Sequence, residues 1–269
     1  LQGKSNHGRA IELKRFLVSE MGTHPFSADV YPYHAYSTAL SNLFPLDART
    51  SLSALLQNLS ADPSALRSRV EAKVAEIGGW QQIRFGVLYQ KAQQNFQGKS
   101  IDRLARERGM VPYELLCRTL LEERGAGSMV AAAMLQEDVD EIMAFPFCSI
   151  ATDAAGQSRE RLPGVHPRAY GSMPRFFQRM VSEQKRLSLA RAIHKVSGLP
   201  AQILGLKERG LVREGYHADL VLFDPLRFRD QAHYNHGRFA SGVEWLFVGG
   251  EAVLEWGEYT SRRPGRLLS

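Results

Sequence analysis

The sequence predicts an α/β protein in which helices alternate with buried parallel strands, a helical insertion interrupts them, and a small β-region closes the chain. Three observations carry this reading. A helix-period stripe, Ala10, Leu13, Leu17 and Met21, is followed at once by a short aromatic strand, DVYPY. Between residues 128 and 152 the order strand, helix, strand returns with short connections, which specifies parallel strands joined by a right-handed crossover. From Gly210 onward, short runs rich in Val, Leu and Trp are separated by turn signals.

In chain order, Gly8 to Met21 reads as an amphipathic helix closed by Gly22, and Ala28 to Tyr33 as a buried strand emptying into a loop at Pro32. From Pro45 to about Gly125 helix signals follow one another, with Gln82 to Tyr89 the one convincing strand. Asp62 before Pro63 predicts an N-cap and first turn, ahead of the stripe Leu66, Val70, Val74 and Ile77 and a stop at Gly78 and Gly79. Ser100 caps a second helix that ends at Gly109, and Pro112 opens a third with Leu115, Leu116, Leu120 and Leu121. This insertion packs on the edge of the main domain or roofs a pocket.

SMVAAAML predicts a strand, QEDVDEIMAF a short helix and FCSIAT another buried strand. HPRAYGSMPR reads as a polar, aromatic loop, with helices over Met173 to Gln184 and Ser188 to Ser197, the second turning Leu189, Ile193 and Val196 inward. LVREGYHADLVLFDP and VEWLFVGGEAVLEWGEY then predict the strands of a small β-domain, with a turn at Gly249 and Gly250. The changes of character divide the chain into 1–44, 45–127, 128–208 and 209–269.

A chain of 269 residues, 44% hydrophobic, builds a core without covalent staples. Cys117 and Cys148 lie in apolar surroundings without CxxC spacing, which argues against a disulfide framework and fits a cytoplasmic protein. No apolar run approaches the roughly 20 residues needed to cross a bilayer, so no membrane partner is expected. The formal charge of +6 comes from arginines spread along the chain rather than from aromatic-interleaved basic runs, and no nucleic-acid partner is expected. The chain opens on Leu1 with a polar loop already entering a helix, which reads as a piece of something longer.

In a parallel sheet, reactive groups gather at the C-terminal strand ends, where loops converge. Asp153, at the end of FCSIATDAAG, is there either a turn cap or a general base or metal ligand. Arg168, in the following loop with His166, is either a loop ion pair or a planar fork for a substrate carboxylate. Tyr31, Tyr33 and His34 leave another strand end and line the same pocket or pack in the core. His7, His24, His194, His217, His233 and His236 show no ligand spacing, and spacing alone gives no metal site.

The segments GKSNHGRA, DVYPYHAYST, QGKSIDRLARERGMVPYELLCRTLLEERG, IATDA, HPRAYGSMPR, LSLARAIHKVSGLPAQILGLKERG, GYHADLVLFDP and RPGRLL resemble, in order, the N-acyl-D-amino-acid deacylases, or D-aminoacylases, of the amidohydrolase superfamily. The resemblance implies the C-terminal part of a metal-dependent (β/α)8 TIM barrel, with the helical insertion and part of a small β-sandwich domain. It implies hydrolysis of an N-acyl-D-amino acid, with Asp153 transferring the proton and Arg168 holding the substrate carboxylate beside His166, Tyr33 and Tyr170. Zinc, one or two ions, is implied as cofactor of the full-length parent. Its main ligands, an HxH pair, a cysteine and a further histidine, are expected before Leu1, with Asp153 a candidate ligand and His34 a weaker one.

The sequence departs from the family at two places. Tyr31 stands where some relatives offer a histidine, and Ala154 replaces the usual glycine after the catalytic acid. The partners expected are a small N-acyl amino acid and the N-terminal half of the same barrel, and the isolated chain is expected to be inactive and to expose apolar surface. Two other readings stand beside this one: a non-catalytic binding module, and a relative acting on cyclic amides in the manner of hydantoinases and dihydroorotases.

Overall fold

A computed structural model describes residues 1–22, 26–156, 164–234 and 237–267. The first helix, α1 (Ala10–Glu20), starts where Asp138 accepts hydrogen bonds from the backbone N–H groups of Gly8 (2.7 Å) and Ala10 (3.1 Å), a cap supplied from a distant segment. Strand β1 (Ala28–Val30) pairs in parallel with Cys148–Ile150. The predicted strand to Tyr33 does not continue, because Pro32 removes a ladder donor. The chain turns through Tyr31 to His34 and enters β2 (Ala35–Ala39) in a different sheet.

The insertion follows as α2 (Leu52–Ala61), α3 (Arg67–Ile77), β3 (Ile83–Phe85), α4 (Ile101–Glu107) and α5 (Pro112–Glu122). Asp62 is the C-terminal cap of α2 rather than the start of α3. Its carboxylate bonds Ser64 two residues on, a turn that competes with helix initiation. Ser51 and Ser100 cap α2 and α4 through their hydroxyls, and Gly78 ends α3 in the left-handed conformation with φ of 118°.

β4 (Ser128–Ala132) is the centre of a three-stranded antiparallel sheet ordered β2-β4-β3, and not the parallel neighbour of the strand over 148–150. Burial on both faces removes alternation whatever the strand direction, so the pattern could not distinguish the two pairings. Ile83, Phe85, Met129 and Ala131 share one face of this sheet and pack on Leu55, Leu59, Val70, Val74, Leu104 and Leu116, all essentially inaccessible.

α6 (Gln136–Met143) leads to β5 (Cys148–Ile150). The helix α7 (Arg168–Phe177) then starts inside the stretch read as a loop, and it continues through a π-turn over Gln178–Glu183. Gly171 and Pro174 in its interior concealed it. α8 (Leu189–Val196) turns Ala192 and Lys195 to the interior; of the predicted stripe Val196 packs on the core, while Leu189 and Ile193 stay exposed and Lys195 takes the interior position because it finds carbonyl partners there. α9 (Gly198–Ile203) precedes an antiparallel sheet of β6 (Leu220–Phe223), β7 (Val243–Val248), β8 (Glu251–Glu255) and β9 (Glu258–Tyr259), in that order. Val139, Met143, Ile150, Phe176, Phe177, Met180 and Phe228 form the core that joins α6, β5, α7 and this region.

Exposed apolar side chains include Ile11, Phe16 and Val18 on α1 and Val221 and Leu222 on β6. Among the described residues β1 pairs only with β5, and no helix is long and apolar enough to cross a membrane.

Candidate functional site

β5 is held at both ends. Lys195 is buried, and its ammonium donates to the carbonyls of Phe145 (2.6 Å) and Cys148 (2.5 Å) at the strand entry. At the exit, Ala151 N–H donates to Val30 O (3.0 Å), after which the chain leaves the sheet. Asp153 there adopts φ of 47°, in the left-handed region that few residues other than glycine tolerate and that aspartate tolerates better than most. Such a residue stores roughly 1 kcal/mol or more of local strain, which its surroundings must hold.

The Asp153 carboxylate meets the Arg168 guanidinium, Oδ2 to Nη1, at 2.8 Å. The acid side chain is 61% exposed and the arginine only 11%, so the carboxylate stands at an open mouth and the cation lies behind it. A pair half in water adds little to stability, about 1 kcal/mol at most.

Arg168 is the first residue of α7, and His166 sets its place. The His166 ring accepts from Arg168 N–H at Nδ1 (3.0 Å) and faces Ala35 O from Nε2 (2.9 Å). These partners require the tautomer with the proton on Nε2, donating to Ala35. Burial, and then the Arg168 charge, push the His166 pKa down to about 3, so the ring is neutral. Its edges lie against Tyr31, Tyr33 and Tyr234 at 6.0, 5.5 and 5.4 Å between centroids. Both nitrogens of His166 are therefore engaged inside the protein. The expected contact between His166 and substrate is replaced by a bond to the backbone that carries Arg168.

The guanidinium of Arg168 lies over the Tyr31 ring, 4.7 Å from its centroid, a cation–π contact of about 1 kcal/mol. Burial raises the pKa of the Tyr31 phenol, although the neighbouring Arg168 acts against it. Tyr33 is buried, and its hydroxyl donates to Asp230 Oδ2 at 2.7 Å. Arg175 stacks on the same ring at 4.7 Å and donates to Pro32 O (2.6 Å) and Gln136 Oε1 (3.1 Å). Tyr33 thus braces the site from within. Tyr170 packs on Phe239, 5.7 Å between centroids, and on the backbone of Gly237, in the connection between β6 and β7.

His34 is half-buried, and burial lowers its pKa. It lines a cavity of about 130 Å³ with Ala35, Gln82, Arg84, Val130 and Tyr234. Two of these residues, Ala35 and Tyr234, also touch His166, so the cavity borders the residues that place Arg168. The Tyr234 hydroxyl is buried without a hydrogen-bond partner, and Arg84 donates only to Gly98 O (3.1 Å) among the bonds of the described residues.

Among the described residues no three His, Cys, Asp or Glu side chains converge as a metal site. Asp153 is engaged with Arg168 and His34 faces a different cavity, so these side chains do not by themselves fit a metal ion. His24 and His236 lie outside the described residues.

Reading the sequence missed the roles of Asp230, Arg175, Arg84 and Tyr234. Arg84 carried a faint signal, a lone charge between Ile83 and Phe85 in a buried strand. Asp230 carried none, since a carboxylate in a polar connection is ordinary.

Residues 70–253 match the model of the Amidohydrolase family. Across its whole length this chain is 30% identical to an N-acyl-D-aspartate deacylase of Alcaligenes xylosoxydans xylosoxydans, covering 46% of that protein. It is 28% identical to a D-aminoacylase of the same organism, again over 100% of this chain and 47% of the relative. A solved structure of D-aminoacylase, studied for its binuclear metal centre, superposes with a TM-score of 0.70 at 28% identity, covering 97% of this chain and 46% of that one. The chain spans about half the length of the relatives it matches.

Proposed function

Because this chain belongs to the amidohydrolase family, we propose that it serves the hydrolysis of an N-acyl-D-amino acid to a D-amino acid and a carboxylate, within an enzyme of its relatives' length. The observation that carries the reading is the Asp153–Arg168 pair: a strained, solvent-facing acid at a strand end, 2.8 Å from a shielded cation. Arg168 offers a planar fork to the substrate carboxylate, and a carboxylate arriving there competes with Asp153 for the same guanidinium. Binding thereby releases the Asp153 oxygens to accept a proton from the attacking water and deliver it to the amide nitrogen as it leaves.

We read the parallel pair β1 and β5 as part of a (β/α)8 barrel, and the four-stranded C-terminal sheet as one layer of a sandwich. Within 1–44 and 128–208 the strands β1 and β5 belong to that barrel, whereas β2 and β4 join β3 of the insertion 45–127 in the antiparallel sheet; 209–269 belongs to the sandwich. Zinc is the proposed cofactor of the whole enzyme, held mainly by side chains other than those described. An acidic substrate side chain is favoured by Arg84, which faces a cavity and has no carboxylate at ion-pair distance among the described residues. The relative named N-acyl-D-aspartate deacylase supports the same preference.

The test is Asp153→Asn in the whole enzyme, assayed on N-acetyl-D-aspartate and N-acetyl-D-leucine with metal content measured in parallel. Loss of a general acid–base group lowers kcat by about 10²- to 10⁴-fold. Metal content should stay at the wild-type level. A variant retaining a third or more of wild-type turnover would remove Asp153 from the chemistry.

A further inference from the structure

We infer that Asp230, on the connection between β6 and β7, is a positioning residue that sets Arg168 for the substrate carboxylate; the inference rests on the deacylase reading. Asp230 is held at both oxygens: Oδ1 accepts from Ala232 N–H (2.9 Å) and Oδ2 from the Tyr33 hydroxyl (2.7 Å). The C-terminal region is thereby fastened to the residues that follow β1, across 197 positions of sequence.

The pair reaches the backbone around Arg168 by three contacts. The Tyr33 hydroxyl lies 3.4 Å from Pro167 O, the residue immediately before Arg168. The Tyr33 ring stands edge-on to His166 at 5.5 Å, and His166 accepts from Arg168 N–H. Gly171, one turn into α7, touches both partners directly: a Cβ placed there would lie 2.0 Å from Asp230 Oδ1 and 2.4 Å from the Tyr33 oxygen. Only glycine lets the helix backbone come this close. Arg175, stacked on the Tyr33 ring, keeps the phenol from tilting away.

Removing the Asp230 carboxylate leaves the buried Tyr33 hydroxyl only the long 3.4 Å contact with Pro167 O and opens space against Gly171. The first turn of α7 is then free to shift, and with it the point from which Arg168 reaches. An arginine that has lost its place binds the substrate carboxylate less well both before and during reaction, which raises KM more than it lowers kcat. A residue that merely supported folding would lower the amount of active enzyme and leave KM alone.

The test measures KM and kcat in the whole enzyme for Asp230→Ala and Asp230→Asn, alone and with Arg168→Met, on the best N-acetyl-D-amino acid. Asp230→Ala should raise KM on the order of tenfold with kcat within about threefold. Asp230→Asn, whose amide oxygen can accept from Tyr33 while its NH2 then faces the Ala232 N–H, should recover part of the loss. In the Arg168→Met background Asp230→Ala should add nothing, since residues acting through one another are not additive. Should Asp230→Ala fail to fold, Tyr33→Phe removes the same bond with the packing kept, and the same rise in KM is expected. Unchanged KM with lowered kcat, or full additivity with Arg168→Met, overturns the inference while leaving the deacylase reading intact. A wild-type enzyme that turns over no N-acyl-D-amino acid overturns both.

Discussion

Lowering the pH should weaken the protein through His166, and the size of the effect follows from its surroundings. At neutral pH the imidazole is uncharged in both the native and the unfolded chain. Below pH 6.5 the unfolded imidazole takes up a proton. The native ring, pushed to about 3 by burial and by the Arg168 charge, does not. Protons therefore bind the unfolded state preferentially, and stability present above pH 6.5 is lost as the pH falls towards 3. The loss approaches about 1.4 kcal/mol per pH unit, or roughly 2 to 3 kcal/mol by pH 4.5.

Histidine-selective ¹⁵N spectra between pH 8 and 4.5 measure this directly. The His166 resonances should keep the pattern of a neutral ring protonated at Nε2, the tautomer that Ala35 O and Arg168 N–H require. Denaturant unfolding of wild type and His166→Gln supplies the energy. Glutamine can still donate to one partner and accept from the other, so the variant should fold and lose roughly 2 to 3 kcal/mol less than wild type between pH 6.5 and 4.5. A His166 midpoint above pH 5, or parallel stability curves for the two proteins, would refute the reasoning.

Two further outcomes test the packing. Gly171→Ala inserts a methyl group where the Asp230 carboxylate and the Tyr33 hydroxyl already stand, and should lower the thermal midpoint through an overpacking cost of about 1 to 3 kcal/mol; an unchanged midpoint would show that α7 and Asp230 do not approach this closely. Leu55→Ala empties a wholly buried site between α2 and the antiparallel sheet, at a cost of about 2 to 5 kcal/mol. Limited proteolysis should then cut first within residues 45–127, and cleavage elsewhere first would mean that the insertion is not a cooperative unit of its own.

Elements whose signals are local were legible in the sequence. The Ser100 cap, Pro112 at the start of α5 and the Gly249–Gly250 turn mark boundaries by their own chemistry, and the structure places each where the residue types require. Strand partnership was not legible. Val130, Ala131 and Ala132 are small and apolar on both faces, and such a run serves a central antiparallel strand as readily as a parallel one. The start of α7 was hidden for another reason: Arg168 gains its helical N–H partner from the His166 ring, a cap outside the usual Ser, Thr, Asp and Asn set.

The candidate site divides along the same line. Residue type marked Asp153 at a strand end and Arg168 in the following loop as candidates, each with a structural alternative, and the structure brings the two together at 2.8 Å. What aims them comes from afar. Tyr33 reaches Asp230 across 197 residues, and His166 reaches Ala35 across 131. No periodicity or spacing encodes contacts of that range. The Tyr33 contact follows from the break at Pro32, on either side of which Tyr31 goes under the guanidinium and Tyr33 to Asp230. The residue that ends the predicted strand early is therefore also the one that separates the two tyrosines into two tasks, one facing the cation and one supporting the helix that carries it.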